Sequence, residues 1–382
     1  MLDKNKLELL IKEQFFCYVC FMAKAINSDI TKAHTLEGKF YTSQWCFETS
    51  LEKIFSRSWQ YVTDDKKLLK TGDAYPFNFL GESIQEPLVL IKTKESIRCL
   101  SNVCTHRGNI LITEPCNIKK SITCGYHGRK FDTCGKFKFM PSTQGMKNFP
   151  IEKDNLTNIS LARWRQFLFT SLNPHNKLEE LIKDVEERVG WMPIEEFKYN
   201  EKLSKQYHVK ANWALYCDNY LEGFHIPFIH SGLNSVLDFK NYDVEVFKYS
   251  NLQIGIAADE EICFDLPKKS KDYGKNIAAY YFWLFPNLML NFYPWGLSIN
   301  IVTPINVNET IVDFKSYVWD ESKLINGAGA DLDKVELEDE QVVQQVQKGV
   351  GSRFYKHGRF SPKMEKGVHH FHTLISRSMK FK

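Results

Sequence analysis

The hydrophobic pattern changes character three times along the chain. Up to about residue 57, apolar positions such as Leu51, Ile54 and Phe55 fall at helical spacing and predict a helical lead-in. From Trp59 to about Leu172, short apolar runs (PLVLI at 87–91, FLF at 167–169) alternate with turns containing Gly and Asn. That is the texture of a small all-β unit, and Asn173-Pro174 marks its exit. Residues 177–190 (KLEELIKDVEERVG) predict a helix closed by Gly190. Strands are then expected at 203–209, 242–249, 278–290, 298–302 and 310–318, with helices near 212–225 and 332–349. A mostly antiparallel sheet packed by helices is an α+β arrangement. The expected organisation is a lead-in over 1–57, a β domain over 58–172 and an α+β domain over 173–382, long enough for two hydrophobic cores.

Composition narrows the partners. A net charge of +4 is too weak to point to nucleic acid, and no basic run is interleaved with stacking aromatics. Aromatics make up 14% of the chain, which reads either as a Phe-rich core or as an apolar pocket with aromatic walls. Ten cysteines without regular spacing do not form a secreted disulfide framework, so thiolates are available as metal ligands in a reducing, cytoplasmic setting. The apolar run 15–22 (FFCYVCFM) is too short for a membrane span and poorly shaped for export, and an amphipathic helix is expected there. Cys17 and Cys20 lack a second pair at zinc spacing, and Gly327-Ala328-Gly329 is an incomplete dinucleotide loop.

The first candidate site is C-x-H at Cys104 and His106, seventeen intervening residues, then C-x-x-H at Cys124 and His127. Two thiolates on one iron and two imidazoles on the other is the ligand set of a Rieske-type [2Fe–2S] cluster. Neutral imidazoles remove negative charge and raise the potential to about −150 to +300 mV, against about −400 mV for an all-thiolate plant-type ferredoxin. A zinc site would group its ligands differently, as C-x₂₋₄-C and H-x₃₋₅-H. Gly108, Gly125 and Gly128 are expected to let the loops turn tightly and aim N–H groups at sulfur. Cys99, Cys116 and Cys134 do not fit the ligand spacing.

The second lies in NWALYCDNYLEGFHIPFIH, 212–230. Glu222 and His225 are expected on one helix face, Pro227 to stop the helix, and His230 to return beside His225. Two satisfied histidines near a helix end is the alternative. In the helix near 332–349, Leu332, Val335, Val342, Val346 and Val350 form an apolar stripe that includes Asp339, with Glu336, Glu338 and Glu340 off it. A core-facing carboxylate is either paired or bound to a metal, and two His with one carboxylate is the facial triad of non-haem Fe(II) oxygenases.

The order VCTHRG, CGYHG, CDNYLEGFHIPFIH, EDEQVVQQVQKG resembles the α subunit of Rieske non-haem iron oxygenases over about residues 40–375, and CDNYLEGFH resembles their choline-monooxygenase-like branch most. The resemblance implies a Rieske [2Fe–2S] domain over 58–172 and a catalytic mononuclear iron domain of helix-grip (START-like) fold over 173–382. It implies Cys104, His106, Cys124 and His127 as cluster ligands and His225, His230 and Asp339 as Fe(II) ligands. Glu222 would be the acid bridging a cluster histidine of one subunit to the iron histidine of its neighbour in a homotrimer, and Asn219 an asparagine near the iron. It further implies O₂ and an NAD(P)H-dependent reductase or ferredoxin as partners, and a bacterial origin. Where the family often has Trp after the second His-Gly this chain has Arg129, which is expected to alter the surface that docks an electron donor.

The substrate is less legible. Tyr293 and Trp295, in the aromatic run 280–295, read as a cation–π cage for a quaternary ammonium such as choline or a betaine, as a stacking surface for an aromatic ring, or as core. His369, His370 and His372 alternate faces if the segment is extended, and a structural or surface role is expected for them. The competing readings are an aromatic-ring-hydroxylating dioxygenase and a non-catalytic Rieske electron carrier or ligand binder.

Overall fold

The computed structural model describes residues 25–230, 243–257, 261–324 and 332–379. The expected N-terminal helix, the Cys17/Cys20 pair and the 327–329 glycines lie outside them. The lead-in forms α1 (Gly38–Thr42) and α2 (Gln44–Lys53), the latter capped by the Ser43 hydroxyl accepting from the Cys46 N–H. It is not peripheral. Phe40, Phe47 and Phe55 share one continuous core with Leu88 and Leu168 from the first sheet and with Trp213, Trp283 and Phe371 from the second unit. The lead-in is therefore the filling between two sheets.

The first unit contains β1 (Gln60–Asp64), β2 (Asp73–Phe79), β3 (Glu86–Lys92), β4 (Ile97–Ser101), β5 (Cys116–Asn117), β6 (Ile122–Thr123), β7 (Lys130–Phe131), β8 (Phe137–Phe139), β9 (Asn158–Trp164) and β10 (Phe167–Ser171). Seven form an antiparallel sheet in the order β1-β10-β9-β4-β3-β2-β5, and β6-β7-β8 make a small second sheet. Leu88 to Ile91 are all buried, so β3 is covered on both faces and reads as an unbroken apolar run.

In the second unit, α3 (Leu178–Val189) precedes β11 (Lys198–Val209), α4 (Trp213–Tyr220), α5 (Ile226–Ile229), β12 (Asp243–Val246), β13 (Ser250–Ile256), β14 (Ile277–Leu284), β15 (Leu288–Tyr293), β16 (Gly296–Asn306) and β17 (Glu309–Val318), and α6 (Leu332–Val350) and α7 (Lys366–Met379) close the chain. The strands form a seven-stranded antiparallel sheet, β11-β17-β16-β15-β14-β13-β12. Leu252, Phe282, Leu290 and Ile299 form one row across β13 to β16 and pack with Leu181 and Val185 of α3. This is the expected α+β class.

Several elements depart from expectation. The 278–290 segment is a hairpin turned at Phe285-Pro286-Asn287, where Asn287 Nδ2 bonds Val302 O (2.8 Å) and Gln60 Oε1 (3.0 Å). Strand β13 was not expected at all. With both sheet faces covered, polar–apolar alternation is erased and the breaks vanish into one apolar texture. The helix near 212–225 ends at Tyr220, so Glu222 and His225 share a turn rather than a helix face. Pro227 sits in the first turn of α5, where no intrahelical N–H is required of it. The buried side of α6 is also rotated from the expected stripe. Glu336, Val343 and Val350 are buried, Val346 is exposed, and the buried face runs through acids because Tyr216 and the histidines of α4–α5 meet them there.

His369 to His372 lie on helix α7, not on an extended segment. His372 is buried and structural. Its Nε2 lies 2.8 Å from Asp218 Oδ1, its Nδ1 accepts from the Leu36 N–H (3.0 Å), and Tyr41 donates to Asp218 Oδ2 (2.8 Å). One imidazole thus ties the lead-in, the α4 helix and the C-terminal helix together. Among the described residues no helix is long and apolar enough to cross a membrane. His372→Ala, which strands the buried Leu36 N–H and takes a partner from the half-buried Asp218 carboxylate, is expected to lower the unfolding free energy by about 1–3 kcal/mol. A denaturation midpoint equal to the wild type would refute that coupling.

Candidate metal centres

The two cysteine loops are built alike. After β4, the Cys104 N–H donates to Asn109 O (2.8 Å) and the Gly108 N–H returns to Cys104 O (3.0 Å). After β6, the Cys124 N–H donates to Arg129 O (2.8 Å) and the Gly128 N–H returns to Cys124 O (3.0 Å). Gly108 and Gly128 take φ of 70° and 68°, which only glycine adopts without strain, whereas Gly125 needs no such freedom. Both cysteines are buried and the imidazoles of His106 and His127 lie 4.7 Å apart.

These residues fit a [2Fe–2S] cluster on their own chemistry. His106 Nδ1 is buried without a protein partner, which is costly unless a ligand takes it. Desolvation, with His127, Arg107 and Arg129 nearby, holds the His106 pKa below the usual histidine value and favours the neutral ligand form. Burial raises the Cys104 thiol. For Cys124 burial is outweighed by the N–H groups of Tyr126 and His127, which pull its thiol below the ordinary range. Asn109 Nδ2 adds a contact to Cys124 Sγ at 3.7 Å.

Arg129 does not shape a docking surface. It is 2% exposed, donates to the Asp154 carboxylate at 2.6 Å and lies over the Phe137 ring at 4.8 Å. It clamps the second loop from inside. The exposed group at that edge is Tyr126, tilted over His127 with centroids 3.7 Å apart.

The second centre is assembled by α4, the turn after it, α5 and α6. Asn212 caps α4 by accepting from the Ala214 N–H (3.0 Å). Asn219, in the last turn of α4, donates to Asp339 Oδ1 at 2.6 Å. His225 Nε2 lies 3.5 Å and His230 Nε2 3.0 Å from that same oxygen, and one ligand atom from each of His225, His230 and Asp339 falls within 4.8 Å of the others. The other imidazole nitrogens are held by carboxylates, His225 Nδ1 by Glu222 Oε1 (2.7 Å) and His230 Nδ1 by Glu338 Oε2 (2.7 Å). A carboxylate behind each imidazole is how metal-binding histidines are oriented, leaving Nε2 free to ligate. For His230, desolvation alone would lower the pKa, but Asp339 and Glu338 outweigh it and raise the value. Two Nε2 atoms and a carboxylate converging on one point fit a divalent iron with open positions.

Sequence reasoning missed Glu338 by assigning it to the outer face of α6. The available signal was its place directly before Asp339. Consecutive helical residues diverge by about 100°, so one acid reaches the convergence point while its neighbour reaches the back of the same imidazole. A cavity of about 120 Å³ adjoins the centre. Tyr281, Tyr293, Asn291 and Asn300 line it from the sheet, and Tyr220 and Glu336 from the helices. Trp295 does not line it, but stacks behind Tyr293 with centroids 5.2 Å apart and planes 13° apart.

Comparison with known proteins finds a known domain over each half of the chain. Residues 58–150 match the Rieske [2Fe-2S] domain, and residues 196–380 match the catalytic domain of the ring hydroxylating alpha subunit. The carnitine monooxygenase oxygenase subunit of Escherichia coli (strain K12) is 28% identical over 367 residues, covering 91% of this chain and 95% of its own. Chloroplastic choline monooxygenase of Arabidopsis thaliana is 27% identical over 371 residues, covering 92% and 84%. A solved quaternary ammonium Rieske monooxygenase superposes with a TM-score of 0.76 at 24% identity, covering 92% of this chain and 97% of that one, which bears on the fold. With its cluster loops, its two-histidine-one-carboxylate centre and both domain matches in one order, the chain belongs to the Rieske-type ring-hydroxylating oxygenase α-subunit family.

Proposed function

We propose that this chain is the terminal oxygenase component of a monooxygenase acting on a small quaternary ammonium compound, with electrons from a separate NAD(P)H-dependent reductase or ferredoxin. Cys104, His106, Cys124 and His127 would hold the [2Fe–2S] cluster, and His225, His230 and Asp339 the Fe(II). When bound, the cluster supplies electrons singly and the iron supplies the place where O₂ is activated beside substrate. The observation that carries the reading is the convergence of His225, His230 and Asp339 at the mouth of an aromatic-walled cavity, in the same chain as the cluster loops.

Within this reading the protein's own groups have distinct tasks. Glu222 accepts the Nδ1 proton of His225 and so reserves its Nε2 for metal, and Glu338 does the same for His230. Asn219 steadies the Asp339 carboxylate. Tyr281 and Tyr293, 5.9 Å apart and at 79° to one another, make two perpendicular walls suited to a trimethylammonium group, each cation–π contact contributing about 0.5–2 kcal/mol. Asn291, Gln253 and Asn300 add amide groups to the lining, a polarity that suits a small charged or hydroxylated molecule better than a plain aromatic hydrocarbon and favours the ammonium reading over ring hydroxylation.

A homotrimer and a cytoplasmic location complete the proposal. Phe224 and Phe228 are exposed beside Glu222 and His225, and Tyr126 is exposed at the cluster edge. A ring of copies would cover both patches and bring a cluster imidazole of one copy to the Glu222 of the next.

Three outcomes test the reading. The reconstituted wild type should hold three irons per chain, and Asp339→Ala two, with the cluster spectrum intact; two irons in the wild type would make it a carrier or binder instead. Glu338→Gln should weaken the mononuclear iron by roughly 10–100-fold in a chelator competition. Glu222→Gln should weaken the mononuclear iron as Glu338→Gln does and, once reloaded to three irons per chain, still lose product by roughly tenfold or more when substrate-stimulated O₂ uptake is assayed with choline, glycine betaine and L-carnitine. Unchanged product formation would remove the bridging role.

A further inference from the structure

One lining residue is not needed to hold either centre. Glu336, on α6, is 3% exposed, and Tyr216 donates to its Oε2 at 2.6 Å. Its Oε1 is buried without a partner. A buried carboxylate oxygen left unpaired is costly, so a group that arrives with the substrate is the natural partner. Burial pushes the carboxyl up to about 8, against the Tyr216 hydrogen bond and with Asp339 and Glu340 adding to the rise. A cation entering the cavity relieves that penalty by supplying the missing positive charge.

The rest of the lining says which cation. Among the described residues that line the cavity there is no Lys and no Arg, and the ionisable side chains besides the two histidines and the tyrosines are Glu222, Glu336 and Asp339. Among the described lining residues a zwitterion's carboxylate would meet amides and phenols but no side-chain cation, and beside Glu222, Glu336 and Asp339 it would meet like charge.

We infer that Glu336 is the specificity-determining counter-charge of the substrate site, pairing through Oε1 with the quaternary ammonium, and that the site selects a monocationic amino alcohol of the choline type over zwitterionic betaines. This rests on the quaternary ammonium reading above and narrows it.

The test is calorimetric binding to the anaerobic, iron- and cluster-loaded enzyme without reductant, so that no turnover intervenes. The probes are choline, its neutral isostere 3,3-dimethylbutan-1-ol, glycine betaine and L-carnitine. The wild type is expected to bind choline roughly tenfold or more tighter than the other three. Glu336→Gln keeps the shape and an acceptor for Tyr216, and is expected to weaken choline by roughly tenfold or more while changing the neutral isostere by less than about twofold. Glu336→Asp, which keeps the charge, should recover part of the choline affinity. Equal choline affinity in wild type and Glu336→Gln, or tighter binding of the zwitterions than of choline, overturns the Glu336 assignment and leaves the ammonium reading standing. Failure of all three ammonium compounds to bind the wild type overturns both.

Discussion

Everything in the catalytic half turns on one oxygen atom. Asp339 Oδ1 is approached by Asn219 Nδ2 and by the Nε2 atoms of both His225 and His230. Those groups come from the end of α4 and from either end of α5, so the carboxylate decides how three separate pieces of backbone sit. Glu222 and Glu338 then brace the imidazoles from behind. With Glu336 also lining the cavity, four carboxyl groups are gathered in one partly buried region. Like charges so placed repel in a medium of reduced dielectric, and a divalent ion among them offsets that repulsion. That is the electrostatic reason these residues fit a metal centre.

The sheet supports this centre by register. Gln253, Tyr281, Asn291 and Ser298 are direct partners across β13 to β16, so four strands present one polar and aromatic row to the helices. Tyr293 and Asn300 are two residues along from members of that row and share its face. The residues one step away, such as Leu252, Phe282 and Leu290, point to the opposite face and its apolar core with α3. A slip of one residue in any strand would exchange cavity for core, so the registers that build the hydrophobic layer also specify the substrate walls. Tyr220 fastens helix to sheet by donating to Asn291 Oδ1 (2.6 Å), and Gln253 Nε2 donates to Tyr220 O (2.6 Å).

The cluster half works differently, because its candidate ligands are local. Cys104 and His106 share one loop of a few residues, as do Cys124 and His127, and each loop closes its own hydrogen bonds around a glycine with positive φ. Only the pairing of the two loops needs the sheet. The environment of the loops was less predictable. Arg129 reads in sequence as a surface residue beside a motif, yet Asp154, 25 positions later, draws it inside to stack on Phe137.

The sequence by itself determined the α+β class and singled out the candidate groups, Cys104, His106, Cys124 and His127 for a cluster and His225, His230 and Asp339 for an iron, because motif spacing and strand or helix periodicity are properties of neighbouring residues. It did not determine the facing of α6, the break after Tyr220, the hairpin at 285–287, the inward turn of Arg129 or the roles of Glu336 and Glu338. Those depend on contacts between distant positions, such as Asn219 with Asp339 and Tyr216 with Glu336, each 120 residues apart. They depend also on sheets covered on both faces, where no alternation survives to be read. Asp339 is the instructive case. An apolar stripe was the reason to expect it inside, yet the buried face of α6 there is acidic, and the tertiary structure turns it inward because two imidazoles and an amide wait for its oxygen.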